Sequence, residues 1–282
     1  KNEPAGPGII DAVRRLAAKA EPAQSQPLRV LPPAPIPLLR SLRLQRVLIP
    51  SGQITLPVFY LAAPREAGVL VAVDDRGKEE LAADPVIREA AARGWSICGV
   101  DPRGIGESAT TQKGWLAATS LLLNEDFVLQ QGEDIARVIR GFPGKRVALY
   151  ARGDNAALAA AYAIALAPDL AWYIQRDGFL SFRQFLDRPQ SLHASFQLKR
   201  EDKDRNTPYD REIPFLYVPF DALRGPEIPQ RLAASRAQCL IVNPVDGDWR
   251  RMPAEAAQRL VRCPVVSSDG YEDRVRSFLS SF

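Results

Sequence analysis

Six short apolar runs separated by helical segments restrict this chain to few folds. The runs at 68–73, 95–100, 147–150, 171–174, 239–242 and 264–266 lack the polar alternation of a strand with one wet face. Strands apolar on both sides must be covered on both sides. Segments with helical periodicity, at 85–93, 125–140, 156–167 and 253–261, lie between most of them. The pattern predicts an α/β fold with a mostly parallel, doubly wound sheet. Two alternating segments, 42–49 and 54–61, flank Ser51 and Gly52 and predict an antiparallel β pair where the domain begins.

Ahead of that pair, residues 8–20 place Ile9, Ile10, Val13, Leu16, Ala17 and Ala20 on one face of an amphipathic helix. The stretch 21–38 contains Pro32, Pro33, Pro35 and Pro37 and predicts an extended linker, because proline brings no amide hydrogen to a ladder. We therefore expect an N-terminal helix and linker over 1–40 and an α/β domain over 41–282. The charged interval 179–221 breaks the rhythm and reads as a cap-like insertion over the sheet's carboxyl edge. Its charge run at 199–205 reads as a solvated face. Because the chain does not open on methionine, it reads as a processed or excised fragment without its targeting information, and whether an upstream domain also precedes it stays open.

Composition argues against several classes. The net charge is +4, but lysine and arginine are interleaved with acids and form no basic stripe for nucleic acid. No run of 18 apolar residues exists to span a membrane, and the first residues lack a signal peptide's apolar stretch. Cys98, Cys239 and Cys263 fall in or beside predicted strands without metal-binding spacing, and read as buried thiols. Asp74, Asp75, Asp101, Asp154, Asp177 and Asp246 sit near strand ends. A hard cation could use such acids, but helix capping and pairing with Arg76, Arg103 and Arg152 account for them, so neither metal nor cofactor is expected.

Three motifs carry a resemblance. Gly99-Val-Asp-Pro-Arg-Gly-Ile-Gly-Glu-Ser108 contains an Asp-x-Arg-Gly-x-Gly-x-Ser run after a strand. Val71-Ala-Val-Asp-Asp-Arg-Gly-Lys78 lies one strand earlier. Tyr217-Val-Pro-Phe-Asp-Ala-Leu223 leads to a strand ending in Asn243-Pro-Val-Asp-Gly247. In order and spacing over about 42–282, the chain resembles the α/β-hydrolase superfamily, in its acetyl xylan esterase and dienelactone-hydrolase-like branch. The resemblance implies a Ser-Asp-His triad, an oxyanion-hole amide from the loop after Val73, a carboxylic-ester substrate, and a secreted or periplasmic setting.

The triad does not survive the comparison. The nucleophile elbow of this family is written G-x-S-x-G on a strand-to-helix turn. The matching segment is Arg146-Val-Ala-Leu-Tyr-Ala-Arg-Gly-Asp-Asn-Ala156, which puts Gly153 at the nucleophile. Asp154 is a rival nucleophile, as aspartate is in haloalkane dehalogenases of this fold, but its register is off by one. The family histidine follows the last strand, where Val265-Val-Ser-Ser-Asp-Gly-Tyr-Glu-Asp273 has no imidazole. The sole histidine, His193, comes too early in the chain. Asp246 matches the family acid, with Asp248 as alternative, and a turn is its expected job. What the sequence supports is a pseudo-hydrolase: a structural, partner-binding or carbohydrate-binding module. Asp75, Arg76, Arg103 and Arg152 would line any surviving site, with Trp115 and Trp249 as sugar contacts; Trp95 and Trp172 belong to the core. An active ester hydrolase using non-standard groups is the alternative.

Overall fold

The computed structural model describes residues 29–31, 43–52, 54–109, 119–120, 122, 126–167, 169–184, 226–247 and 249–281. The expected helix at 8–20, the charge run, Trp115, His193 and Asp248 lie outside them. Nine strands form one sheet: β1 (Arg29–Leu31), β2 (Arg43–Ser51), β3 (Ile54–Ala62), β4 (Gly68–Asp74), β5 (Trp95–Val100), β6 (Val147–Arg152), β7 (Trp172–Arg176), β8 (Gln238–Val242) and β9 (Val265–Val266). Their spatial order is β1-β2-β3-β5-β4-β6-β7-β8-β9. From β1 to β5 each neighbouring pair is antiparallel, and from β5 onward every pair is parallel.

The helices of the described residues are α1 (Pro85–Ala92), α2 (Phe127–Arg140), α3 (Asp154–Leu166), α4 (Ile228–Ala234), α5 (Ala254–Gln258) and α6 (Tyr271–Ser280). β4, β5 and β6 are buried at every residue, as apolar runs covered on both sides require. Alternate residues feed two cores. Val71, Leu149 and Ile241 pack with α2 and α3, whereas Leu70, Tyr150 and Leu240 pack with α1 and α6. Trp95 and Trp172 meet edge to face in the second core, 5.1 Å between ring centres.

Two segments differ from expectation. Within the expected linker, Arg29–Leu31 adds an edge strand on β2. This is the window between Pro27 and Pro32, where each residue keeps its amide hydrogen. Phe179, Leu180 and Phe182, read as the opening of an insertion, are buried in the first core. The remainder of that interval, from 185 to 221, is outside the described residues.

The sequence of α3, Asp-Asn-Ala-Ala-Leu-Ala-Ala-Ala-Tyr-Ala-Ile-Ala-Leu, is small and apolar around its whole circumference, and 11 of its residues are buried. A helix this slim lets α2 approach closely. At Gly132 of α2, an added Cβ would lie 2.5 Å from Tyr162 Cβ and 2.9 Å from the Ala159 carbonyl oxygen. The obstacle includes backbone, which a side-chain rotation cannot relieve. Gly132→Ala should therefore destabilise the fold by about 1–3 kcal/mol despite alanine's better helix propensity. Urea unfolding would show this as a lower midpoint with an unchanged slope.

Candidate functional site

The strand order reverses between β4 and β6, since β5 lies on one side of β4 and β6 on the other. In open α/β sheets the crevice at the carboxyl ends of such strands is the place where ligands bind. Here those ends deliver Asp74 and Asp75 from β4 and its loop, and Arg152 and Gly153 from β6. The crevice that sequence comparison assigns to the nucleophile elbow is thus formed as backbone.

A carboxylate fills it. Asp75 accepts hydrogen bonds from the backbone amides of Asn155, at 3.1 Å, and Ala156, at 2.6 Å. Gly153, at the N-terminus of α3, offers no side chain to cap the helix. Asp75 supplies that cap from the loop after β4, its carboxyl oxygens accepting from otherwise unpaired amides. Gly153 has φ +103°, and an added Cβ would sit 2.4 Å from the Asp75 carboxyl carbon. Glycine is demanded twice, by backbone conformation and by space. The loop after β4, read as the source of an oxyanion-hole amide, also supplies a carboxyl group that accepts from amides of the elbow helix.

The two acids at the end of β4 diverge. Asp74 is fully buried and pairs with Arg152, which also meets Asp84 at 2.7 Å. Asp84 caps α1 through the Val86 amide, at 2.8 Å, and accepts from the Tyr150 hydroxyl, at 2.9 Å, and Arg176, at 3.0 Å. Arg176 in turn donates to the Tyr271 hydroxyl at 2.8 Å, and its guanidinium lies over that ring. Two arginines therefore answer the buried acids Asp74 and Asp84, as buried charge requires. Arg76 is held at the rim by Glu80, at 2.8 Å.

The Asp-x-Arg-Gly-x-Gly-x-Ser loop is also structural. Asp101 accepts from the Lys78 amide at 2.7 Å, the Lys78 ammonium at 2.6 Å and the Glu107 amide at 2.8 Å. Gly106, at φ +54°, leaves no room for a Cβ beside that carboxylate. Arg103 turns to α2, where its guanidinium makes two 2.8 Å bonds to Asp134 and one of 2.7 Å to Gln130. The expected lining divides: Arg103 goes to α2, whereas Arg76 and Arg152 share Asp74 and Glu80 at the end of β4, and Arg152 also meets Asp84. Among the described residues, no group of three potential ligands could hold a metal ion.

On the acid side, Asp246 forms a turn, with its carboxylate accepting from the Arg250 amide at 3.0 Å. Trp249, in the same turn, has φ +59°, a conformation costly for an aromatic residue. Its indole N–H donates to the Asp154 carboxylate, and its ring packs edge-on against Phe179, 5.9 Å away. Both the expected sugar contact and the rival nucleophile are thereby engaged with each other. In the segment after β9, the Ser268 amide donates to the Asn243 side chain, at 3.0 Å, and Asp269 pairs with Arg251, at 2.6 Å.

Sequence reading overlooked Asp84 and Arg176, and saw Tyr271 only as a residue of the segment after the last strand. Only Asp84 left a local sign, an aspartate directly before Pro85 at a helix start.

No family model matches the chain, and no curated protein matches it in sequence. Solved structures do. Acetyl xylan esterase 1 of Thermoanaerobacterium sp. JW/SL YS485 superposes with a TM-score of 0.62 at 11% identity, covering 99% of this chain and 95% of that one. The acetyl xylan esterase of Paenibacillus sp. R4 gives 0.57 at 15% identity, covering 100% and 96%. A Bacteroides fragilis protein provisionally described as an acetyl xylan esterase gives 0.69 at 12% identity, covering 95% and 75%.

Two predictions follow from the elbow. Gly153→Ser should destabilise the protein by about 1–3 kcal/mol through strain and collision. Adding Asp75→Ala should recover part of that loss, which a double-mutant cycle of unfolding free energies will measure. The second concerns pH. Burial and the neighbouring Asp74 raise the Asp75 carboxyl from 3.8 to about 7, against the lowering effect of the amides. The folded state then binds this proton more tightly than the unfolded one. The resulting stabilisation is complete below about pH 4 and is lost as pH rises toward 7. Comparing Asp75→Asn with the parent by denaturant unfolding at pH 5 and pH 7.5 should show a smaller decline in the variant.

Proposed function

We propose that this chain, which has the α/β-hydrolase fold, is a non-catalytic member of that fold that serves as a structural module. The observation that carries the reading is the position of Asp75. Its carboxylate lies where a side chain at Gly153 would begin, and it takes the amides of Asn155 and Ala156. An ester hydrolase needs a nucleophile at that point and free donors for the oxyanion that develops there. A carboxyl group already in that space opposes the first requirement, and it draws on amides of the same helix start. The loss extends to the base, since the segment after β9 has no histidine.

The arginines favour a structural role over ligand capture. Arg103 and Arg152 are engaged by acids of their own chain, and each ties a loop or strand end to a helix. A carbohydrate-binding role rests on the names of the similar structures and on the half-buried Trp249 ring. That ring is already braced by Asp154 and Phe179.

Purified protein should leave p-nitrophenyl acetate and acetylated xylan at their uncatalysed rates and take no label from a serine-reactive phosphonate. Turnover that falls on Asp154→Ala would replace this reading with an esterase that uses an aspartate nucleophile. Retention on acetylated xylan that disappears on Trp249→Ala would make the module a carbohydrate binder.

A further inference from the structure

The opposite, amino-terminal edge of the sheet holds chemistry that the elbow does not involve. Cys239 lies in β8, and Cys263 lies just before β9. The two strands are parallel neighbours with Ile241 beside Val265, and the Ile241 amide donates to the Pro264 carbonyl at 2.9 Å. Stepping back two residues on each strand brings Cys239 beside Cys263 on the face that packs into the first core. Neighbouring strands run about 4.8 Å apart, inside the roughly 4.4–6.8 Å Cα separation that a disulfide spans. Both cysteines are free in the structure.

The pair is also reachable. A cavity of about 410 Å³ opens at this edge, lined by both cysteines together with Leu232, Arg262, Pro264 and Phe278. Cys239 is 8% exposed, whereas Cys263 is half-buried. Arg262 adds a positive charge suited to a small anionic molecule. The third cysteine, Cys98, is fully buried in β5 and serves as an internal control.

We propose that Cys239 and Cys263 are a dithiol site that reacts by exchange with a low-molecular-weight disulfide such as oxidised glutathione, closing an intrachain bond between β8 and the entry to β9. The Cys263 thiolate attacks one sulfur of the small disulfide. A mixed disulfide forms, and one small thiolate leaves. The Cys239 thiol then gives up its proton to solvent and attacks the Cys263 sulfur, forming the intrachain bond and expelling the second small thiolate. The protein loses two electrons and two hydrogens, and one small disulfide becomes two thiols. The roles follow from the environment. The Cys239 thiol is buried and donates to the Ala237 carbonyl at 3.4 Å, whereas Cys263 is the more exposed of the two and adjoins Arg262. Cys263 is therefore the attacking group and Cys239 the resolving one.

The test uses the reduced full chain, incubated with oxidised glutathione, quenched in acid and alkylated before mass spectrometry. Two of the three thiols should disappear together, with loss of two hydrogens and no retained glutathione, and one peptide pair should link Cys239 to Cys263. Cys239→Ser should stop at a stable glutathione adduct on Cys263. Cys263→Ser should acquire an adduct at Cys239 at least about tenfold more slowly, as burial of the thiol requires. The proposal is overturned if both thiols remain alkylatable in the native wild-type protein, if oxidation needs denaturant, or if the wild type stops at the mixed adduct. The wild-type result alone decides the matter should either serine variant fail to fold.

Discussion

One carboxylate crossing from the end of β4 to the first turn of α3 determines what the centre of this sheet can do. Asp75 satisfies amides that a helix start leaves open, and the helix accepts a cap that its own sequence does not supply. The bond joins the two strands at which the sheet changes direction, so it fixes the crevice from within. Gly153 follows from it, as the residue that leaves the carboxylate its space. The hydrolase-like architecture is compatible with this arrangement because the fold needs a strand, a sharp turn and a helix at that point, and chemistry is a separate requirement.

Around this bond, charge is distributed so that each face of the sheet has its own clamp. On the α1 and α6 side, Asp84 collects Tyr150, Arg152 and Arg176 and also starts α1. On the α2 side, Arg103 and Ser51 converge on Asp134, joining the end of β2, the loop after β5 and α2. Such groups are costly to bury singly and tolerable in sets, so each set constrains several elements at once. The loops at the carboxyl edge, which in a catalytic hydrolase present side chains to a substrate, are held here by partners within the chain.

The sheet was legible because its strands announce themselves by local composition. The runs at 68–73, 95–100 and 239–242 became β4, β5 and β8 almost residue for residue, since a strand buried on both faces has no other way to be written. α6 was less visible, with Val275 and Leu279 its only buried side chains. The elbow was legible as a turn, and Gly153 marked its defect. What filled the defect was not legible, because Asp75 and Gly153 are far apart in sequence and nothing local at either residue names the other. The same holds for Arg103 and Asp134. Sequence placed these arginines near a strand edge but could not say which face they would take, and the distinction between a lined site and a braced one lies there.

The overlap of Asp75 with the space beside Gly153 also acts as a ratchet. A route from this elbow to one bearing a serine cannot proceed by single steps of equal fitness. Serine at 153 meets the carboxylate, removal of the carboxylate uncaps α3, and neither change restores the missing imidazole. Three separate regions of the chain would have to change to place a serine and an imidazole here together. A serine at this elbow therefore carries a cost in stability before it can carry any chemistry.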